Sequence, residues 1–132
     1  MDQVELMNDT LGELATAMGI RLTEVSAQRS VATMPVEGNR QPYGLLHGGA
    51  SCVLAETLGS IAGFVHAGEG RIAVGVDINA THHRSVTSGT VTGVATALSL
   101  GRSVASYHIE VTDEQGRRVC TARLTCHLRD AT

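Results

Sequence analysis

A chain of 132 residues and 13.8 kDa has room for one domain, spanning 1–132, and none for a second. Its 42% hydrophobic content is aliphatic, with one Phe, two Tyr and no Trp, so the core must be packed from Val, Leu, Ile, Ala and Met. A net charge of -3 without any Lys/Arg run argues against nucleic acid as the main partner, because that binding needs a clustered cationic footprint.

From the N-terminus, Thr10 followed by Glu13 reads as a capping box that opens a short helix reaching Met18, where Gly19 ends it. Residues 20–36 favour two short strands around Ala27-Gln28, with Pro35 marking an edge or a strand end. Residues 37–49 are loop by composition, carrying Gly38-Asn39, Pro42, Gly44 and Gly48-Gly49. A long helix follows over 50–65, then a turn at Gly68-Glu69-Gly70. Four strand-like stretches complete the chain, at 72–82, 90–100, 103–112 and 117–128. A hairpin loop at 113–116 separates the last two, with Gly116 free to take positive φ. Hairpin-connected strands after one long helix predict an antiparallel sheet packed on that helix, an α+β architecture.

The helix at 50–65 contains a single charged residue, Glu56. Val53, Leu54, Leu58, Ile61 and Val65 make one apolar stripe at helical spacing, and the opposite side carries Ser51, Cys52, Ala55, Gly59 and Gly63. A helix without a solvated face is covered on all sides, and the small residues suggest close approach by another backbone, such as a partner subunit. Glu56 then sits in a largely buried environment with Ser60 one turn on. Two readings stay open: a structural carboxylate paired with an arginine or capped by hydroxyls, or one desolvated for acid–base work. Before the helix, His47-Gly48-Gly49 puts unpaired N–H groups at a positive dipole end, with no Cβ to block an approaching oxygen. That suits an oxyanion hole; a tight turn is the plainer alternative.

No apolar stretch is read as a membrane span, and residues 1–5 lack the layout of a signal peptide. Cys52, Cys120 and Cys126 are odd in number and without metal-ligand spacing, which reads as reduced buried thiols in a cytoplasmic protein. The six histidines form no recognised metal-ligand set with nearby Asp, Glu or Cys.

The stretch from Gln41 through His47-Gly48-Gly49-Ala50 to Glu56 and Ser60 resembles the helix-start motif of hotdog-fold aryl- and acyl-CoA thioesterases. The resemblance is to the 4-hydroxybenzoyl-CoA thioesterase branch with Glu on the helix. Within that branch, it is to the 1,4-dihydroxy-2-naphthoyl-CoA thioesterases of menaquinone biosynthesis and the proofreading thioesterases of enterobactin synthesis. It continues through Val76–Arg84 and Leu98–Arg102 and covers nearly the whole chain. A related phenylacetate-pathway group carries Asp where this chain has Glu56. His83 departs from relatives with an apolar residue there.

The resemblance implies a hotdog fold, a sheet wrapped around the central helix, acting as a homodimer and homotetramer with sites at the subunit interface. It implies Glu56 as nucleophile or general base and the Gly48 N–H, helped by Gln41, as oxyanion donor. His47 would place the thioester or leaving group, Ser60 would assist the water, and His82 would line the acyl pocket. Because coenzyme A carries phosphates, Arg84 and Arg102, with the Ser103 hydroxyl, are candidate binders of it. The expected reaction is hydrolysis of an aromatic or medium-chain acyl-CoA without metal or redox cofactor, with 1,4-dihydroxy-2-naphthoyl-CoA as the preferred substrate. Two rivals are a hydratase or dehydratase on the same fold and a non-catalytic acyl-CoA-binding sensor; the sensor would not need Glu56.

Overall fold

The computed structural model describes residues 2–132. Two short helices, α1 (Gln3–Asp9) and α2 (Glu13–Ala17), precede strands β1 (Arg21–Val25) and β2 (Arg29–Pro35). The long helix α3 (Gly48–Ala67) follows, then β3 (Arg71–His82), β4 (Thr90–Leu100), β5 (Val104–Thr112) and β6 (Arg118–Asp130). The strands form one antiparallel six-stranded sheet in the order β1-β2-β4-β5-β6-β3. All six strands touch α3, so the sheet wraps the helix as expected of a hotdog fold.

Period-two patterning decides which face of the sheet turns inward. In β5, Ala105, Tyr107, Ile109 and Val111 are fully buried while their neighbours are not; in β6 Cys120, Ala122, Leu124, Cys126 and Leu128 are buried in the same alternation, broken only by Val119, which is buried beside Cys120. Tyr107 is buried because its hydroxyl has a partner, donating to the Ala27 carbonyl at 2.7 Å. Burial pushes its pKa up to about 12. Pro35 ends β2 beyond the reach of β1, where its missing N–H costs no ladder bond.

The N-terminus corrects the sequence reading. The capping box is Asp2 with Glu5, whose reciprocal bonds open α1. Thr10 instead closes α1, donating its hydroxyl to the Leu6 carbonyl at 3.0 Å. Gly12, at φ 94°, breaks the chain before α2, which starts without a side-chain cap. The Asn8 amide fixes α1 in place: it donates to the Leu22 carbonyl at 3.0 Å and accepts from the Leu22 N–H at 2.8 Å. No residue of α1 is buried, so this two-way clamp on β1 is a main tether.

Helix α3 is also not what the helical plot predicted. Its buried residues are Ala50, Ser51, Leu54, Ala55, Leu58, Gly59, Ala62 and Gly63, so the small residues face this chain's own sheet. A Cβ on Gly59 would meet Leu124 Cδ2 at 2.5 Å, and one on Gly63 would meet Ala73 Cβ at 3.2 Å. The close approach inferred from those glycines is therefore internal. Among the described residues α3 is long and apolar enough to pass a membrane-span test, but eight of its residues are covered by the domain itself, as in the core helix of a soluble protein. Glu56 is exposed in the single chain, which overturns its predicted burial there.

Candidate active site

The loop before α3 folds back on itself to start the helix. The Leu46 N–H donates to the Val86 carbonyl at 2.7 Å and the His47 N–H to the Asn39 carbonyl at 2.9 Å. His47 is the N-cap, its Nδ1 accepting from the Gly49 N–H at 2.8 Å. Acceptance at Nδ1 leaves the ring proton on Nε2, facing solvent. The next amide, that of Gly48, has no partner among the described residues.

That free amide opens onto a cavity of about 350 Å³ shared with Gln41, Ser51, His82, Arg84 and Val119. Gln41 Oε1 accepts from the Tyr43 N–H, which leaves its NH₂ as the group free to donate. His82 ends β3, and its ring lies flat against Gly48: a Cβ there would sit 2.8 Å from His82 Nε2. Gly48 is thus needed for the ring to close over the start of α3. Arg84, exposed on the rim, is held by its own N–H to the Val119 carbonyl at 3.4 Å. Ser51, buried at the floor of the cavity, was passed over in the sequence; a hydroxyl in the first helical turn was its one signal.

Glu56 lies elsewhere on the same helix. Eight residues from Gly48 to Glu56 span roughly 12 Å along the axis. Ser60, half-buried, shares the Glu56 side of α3, and its hydroxyl lies beside the Cys126 thiol, partly offsetting the rise that burial gives it. Ser60 also borders an apolar hollow of about 280 Å³ with Met7, Thr10, Ile61 and Phe64. The three thiols are free, and burial pushes each of them up, Cys120 to about 11. For Cys52 the nearby Glu56 charge adds to the rise. They stay protonated at neutral pH.

The remaining two candidates are not brought to either place. Arg102 and Ser103 sit in the β4–β5 turn, next to Gly101, whose carbonyl meets His66 Nε2 at 2.7 Å. That is the far end of α3, roughly 27 Å along the axis from Gly48. Within one chain, then, Gln41, Gly48, His82 and Arg84 share a cavity; His47 faces outward beside it, Glu56 and Ser60 share a helix face, and Arg102 and Ser103 stand apart.

Residues 43–120 match the sequence profile of the Thioesterase superfamily. The chain is 48% identical, over 92% of its own length and 90% of the relative's, to the proofreading thioesterase EntH of Cronobacter turicensis. A thioesterase crystal structure from Haemophilus influenzae overlays with a TM-score of 0.93 at 39% identity, covering 98% of this chain and 92% of that one. A glutamine-to-alanine variant of a Pseudomonas aeruginosa thioesterase does so equally, at a TM-score of 0.93 and 37% identity, covering 98% and 96%. With its sheet-wrapped helix, free glycine amide and lone helical carboxylate, the chain belongs to the hotdog-fold thioesterase superfamily and is a thioester hydrolase.

Proposed function

We propose that this protein hydrolyses an acyl-CoA thioester at a site shared by two copies of the chain. The observation that carries the proposal is the roughly 12 Å between the Gly48 amide and Glu56 on one rigid helix. A reacting carbonyl must lie about 3 Å from both its oxyanion donor and its base or nucleophile. One helix cannot bring its own two groups together, whereas two helices side by side and antiparallel can. A surface for that pairing is available: β3 is an unpaired edge strand of twelve residues with Val74 and Val76 exposed, and Phe64 on α3 is exposed as well. Pairing would also bury Glu56. A further dimer-of-dimers contact would make the tetramer.

In this reading the thioester oxygen points at the Gly48 N–H and the Gln41 NH₂, at the positive end of α3. Glu56 from the other copy either attacks the carbonyl carbon or takes the proton of the attacking water, with Ser60 holding that water. In the water route the C–O bond forms, the C–S bond breaks, and the proton taken by Glu56 passes to the departing thiolate; in the direct route the thiolate leaves first, and water then hydrolyses the mixed anhydride, supplying the thiolate's proton and restoring the Glu56 carboxylate. His47, with its Nε2–H free, and His82 border the sulfur and the start of the acyl group. Arg84, exposed on the cavity rim, would meet the coenzyme phosphates, while Arg102 and Ser103 would serve the site only as residues of the second copy. The apolar hollow beside Ser60 supports an aromatic or medium-chain acyl group, with 1,4-dihydroxy-2-naphthoyl-CoA as one candidate. Nothing in its lining is charged.

The test is free-thiol release against a panel of aryl- and acyl-CoA thioesters, with Glu56→Gln as the comparison. Glu56→Gln should lower kcat by about 10²–10⁴-fold while a coenzyme A analogue still binds. Equal turnover by both proteins would leave only a binding role.

A further inference from the structure

We propose that Gly75 is a positioning residue for the Glu56 carboxylate: the side chain it lacks is the space in which that carboxylate sits. This inference rests on the thioesterase reading of Glu56. A Cβ built on Gly75 would lie 2.5 Å from Glu56 Oε2 and 3.3 Å from its carboxyl carbon. The next atom, Leu124 Cδ1, is at an ordinary contact distance of 3.5 Å.

The other reasons for a strand glycine do not apply. Gly75 is not among the glycines at positive φ, so an L side chain is conformationally allowed. The backbone of α3 does not crowd it, unlike the core atoms that crowd Gly59 and Gly63. What fills the gap is the far end of one functional side chain.

The strand is built around that gap. Gly75 pairs with Cys126 and Asp77 with Thr125, so Val76 is an extra residue in a β-bulge. The bulge resets the inward alternation of β3, in which Ala73, Ile78 and Ala80 pack on the core. Gly75 is the one position of this inner row without a side chain. Glu56 also lacks an alternative anchor, since no ion pair among the described residues involves it. Its aim depends on the helix and on this seat. A methyl group at residue 75 would push the carboxylate outward by about 1 Å, because a flexible carboxylate yields before a paired strand does, and displacement on that scale costs about 10²-fold in rate.

The test is Gly75→Ala, read by kcat, KM, thermal unfolding and sedimentation. We expect a folded protein with an unchanged oligomeric state, a melting temperature no lower than that of the unsubstituted chain, KM within about twofold, and kcat reduced by about 10- to 100-fold. A double variant separates seat from scaffold. Glu56→Asp withdraws the carboxylate from the new methyl, so Gly75→Ala should cost the Glu56→Asp protein less than about threefold. Unchanged kcat in Gly75→Ala overturns the proposal, and so do losses that simply multiply in the double variant. An unfolded or dissociated Gly75→Ala protein also overturns it, because the space would then be filled by something less yielding than a carboxylate. If the unsubstituted chain cleaves no thioester, the reading of Glu56 fails first and takes this role with it; an active chain indifferent to Gly75→Ala fails this role alone.

Discussion

The two faces of α3 obey different rules. Toward the sheet, Leu54, Ala55, Leu58, Gly59 and Ala62 are at or near zero exposure, and even the Leu58 carbonyl is used, accepting from the buried Ser30 hydroxyl at 2.9 Å. There the identity of a residue is set by the volume left for it. On the side that turns out of the sheet past the β3 edge, Glu56 and Phe64 are exposed and Ser60 is half-covered, although this side is nearly free of charge. A packed face carries fold stability; the uncovered, weakly polar side with its one acid is where the proposed chemistry and the proposed second subunit belong. Substitutions on the two sides should therefore fail in different assays.

The largest effect falls on the outer face. Glu56→Gln, with its predicted loss of about 10²–10⁴ in turnover, corresponds to about 3–5 kcal/mol of transition-state stabilisation. Its melting temperature should be unchanged or slightly raised, since an uncharged amide is easier to cover than a carboxylate. Comparable destabilisation of the fold and of turnover would erase the distinction between the faces. On the inner side, Leu58→Ala should destabilise by about 2–5 kcal/mol in a denaturant titration, because the wrapped sheet cannot collapse into the space. Folded Leu58→Ala molecules should keep near-normal kcat, since no atom of Leu58 is exposed.

Gly59→Ala comes next. On a solvated helix that change stabilises by about 1 kcal/mol. Here the new methyl falls 2.5 Å from Leu124 Cδ2, and Leu124 is itself fully buried. Overpacking of about 1–3 kcal/mol should outweigh the helical gain. A more stable Gly59→Ala protein in thermal melts would mean that the inner face has slack, contrary to its geometry.

How much of this could be read from the sequence depended on the range of the signal. One charge in a long apolar helix marked α3 and Glu56, and alternation marked all six strands to within a few residues. Local chemistry alone could not choose between two capping signatures: Asp2 with Glu5 and Thr10 with Glu13 have the same spacing. The choice is made by Asn8 gripping Leu22 across the chain. The glycines of α3 correctly signalled close approach, but a helical plot has no means of saying which neighbour approaches. Arg102 and Ser103 were grouped with the site on charge and resemblance, and the length of α3 separates them from the Gly48 cavity. Gly75 had a signal that went unused, since a glycine inside a strand pattern marks a bulge or a close contact.

The smallest predicted effect lies on neither face and so serves as a control for both. Asp113, in the β5–β6 hairpin, is buried and accepts from the Gln115 N–H at 3.0 Å, the Arg117 N–H at 2.9 Å and the Arg117 Nε at 2.8 Å. Burial pushes its carboxyl up, but these donors and the guanidinium charge outweigh it and hold the group below the usual carboxylate value. A carboxyl depressed in the folded state contributes stability above its unfolded value, near about 3.9, and loses it as pH falls through the folded one. Asp113→Asn should therefore show a flatter melting-temperature profile than the unsubstituted chain between about pH 5 and pH 2, with turnover near neutrality unaltered. Parallel profiles would mean that the hairpin bonds are as strong in the protonated form. A loss of turnover would mean that the hairpin, which borders a polar hollow shared with Ser85 beside the Gly48 cavity, belongs to the site after all.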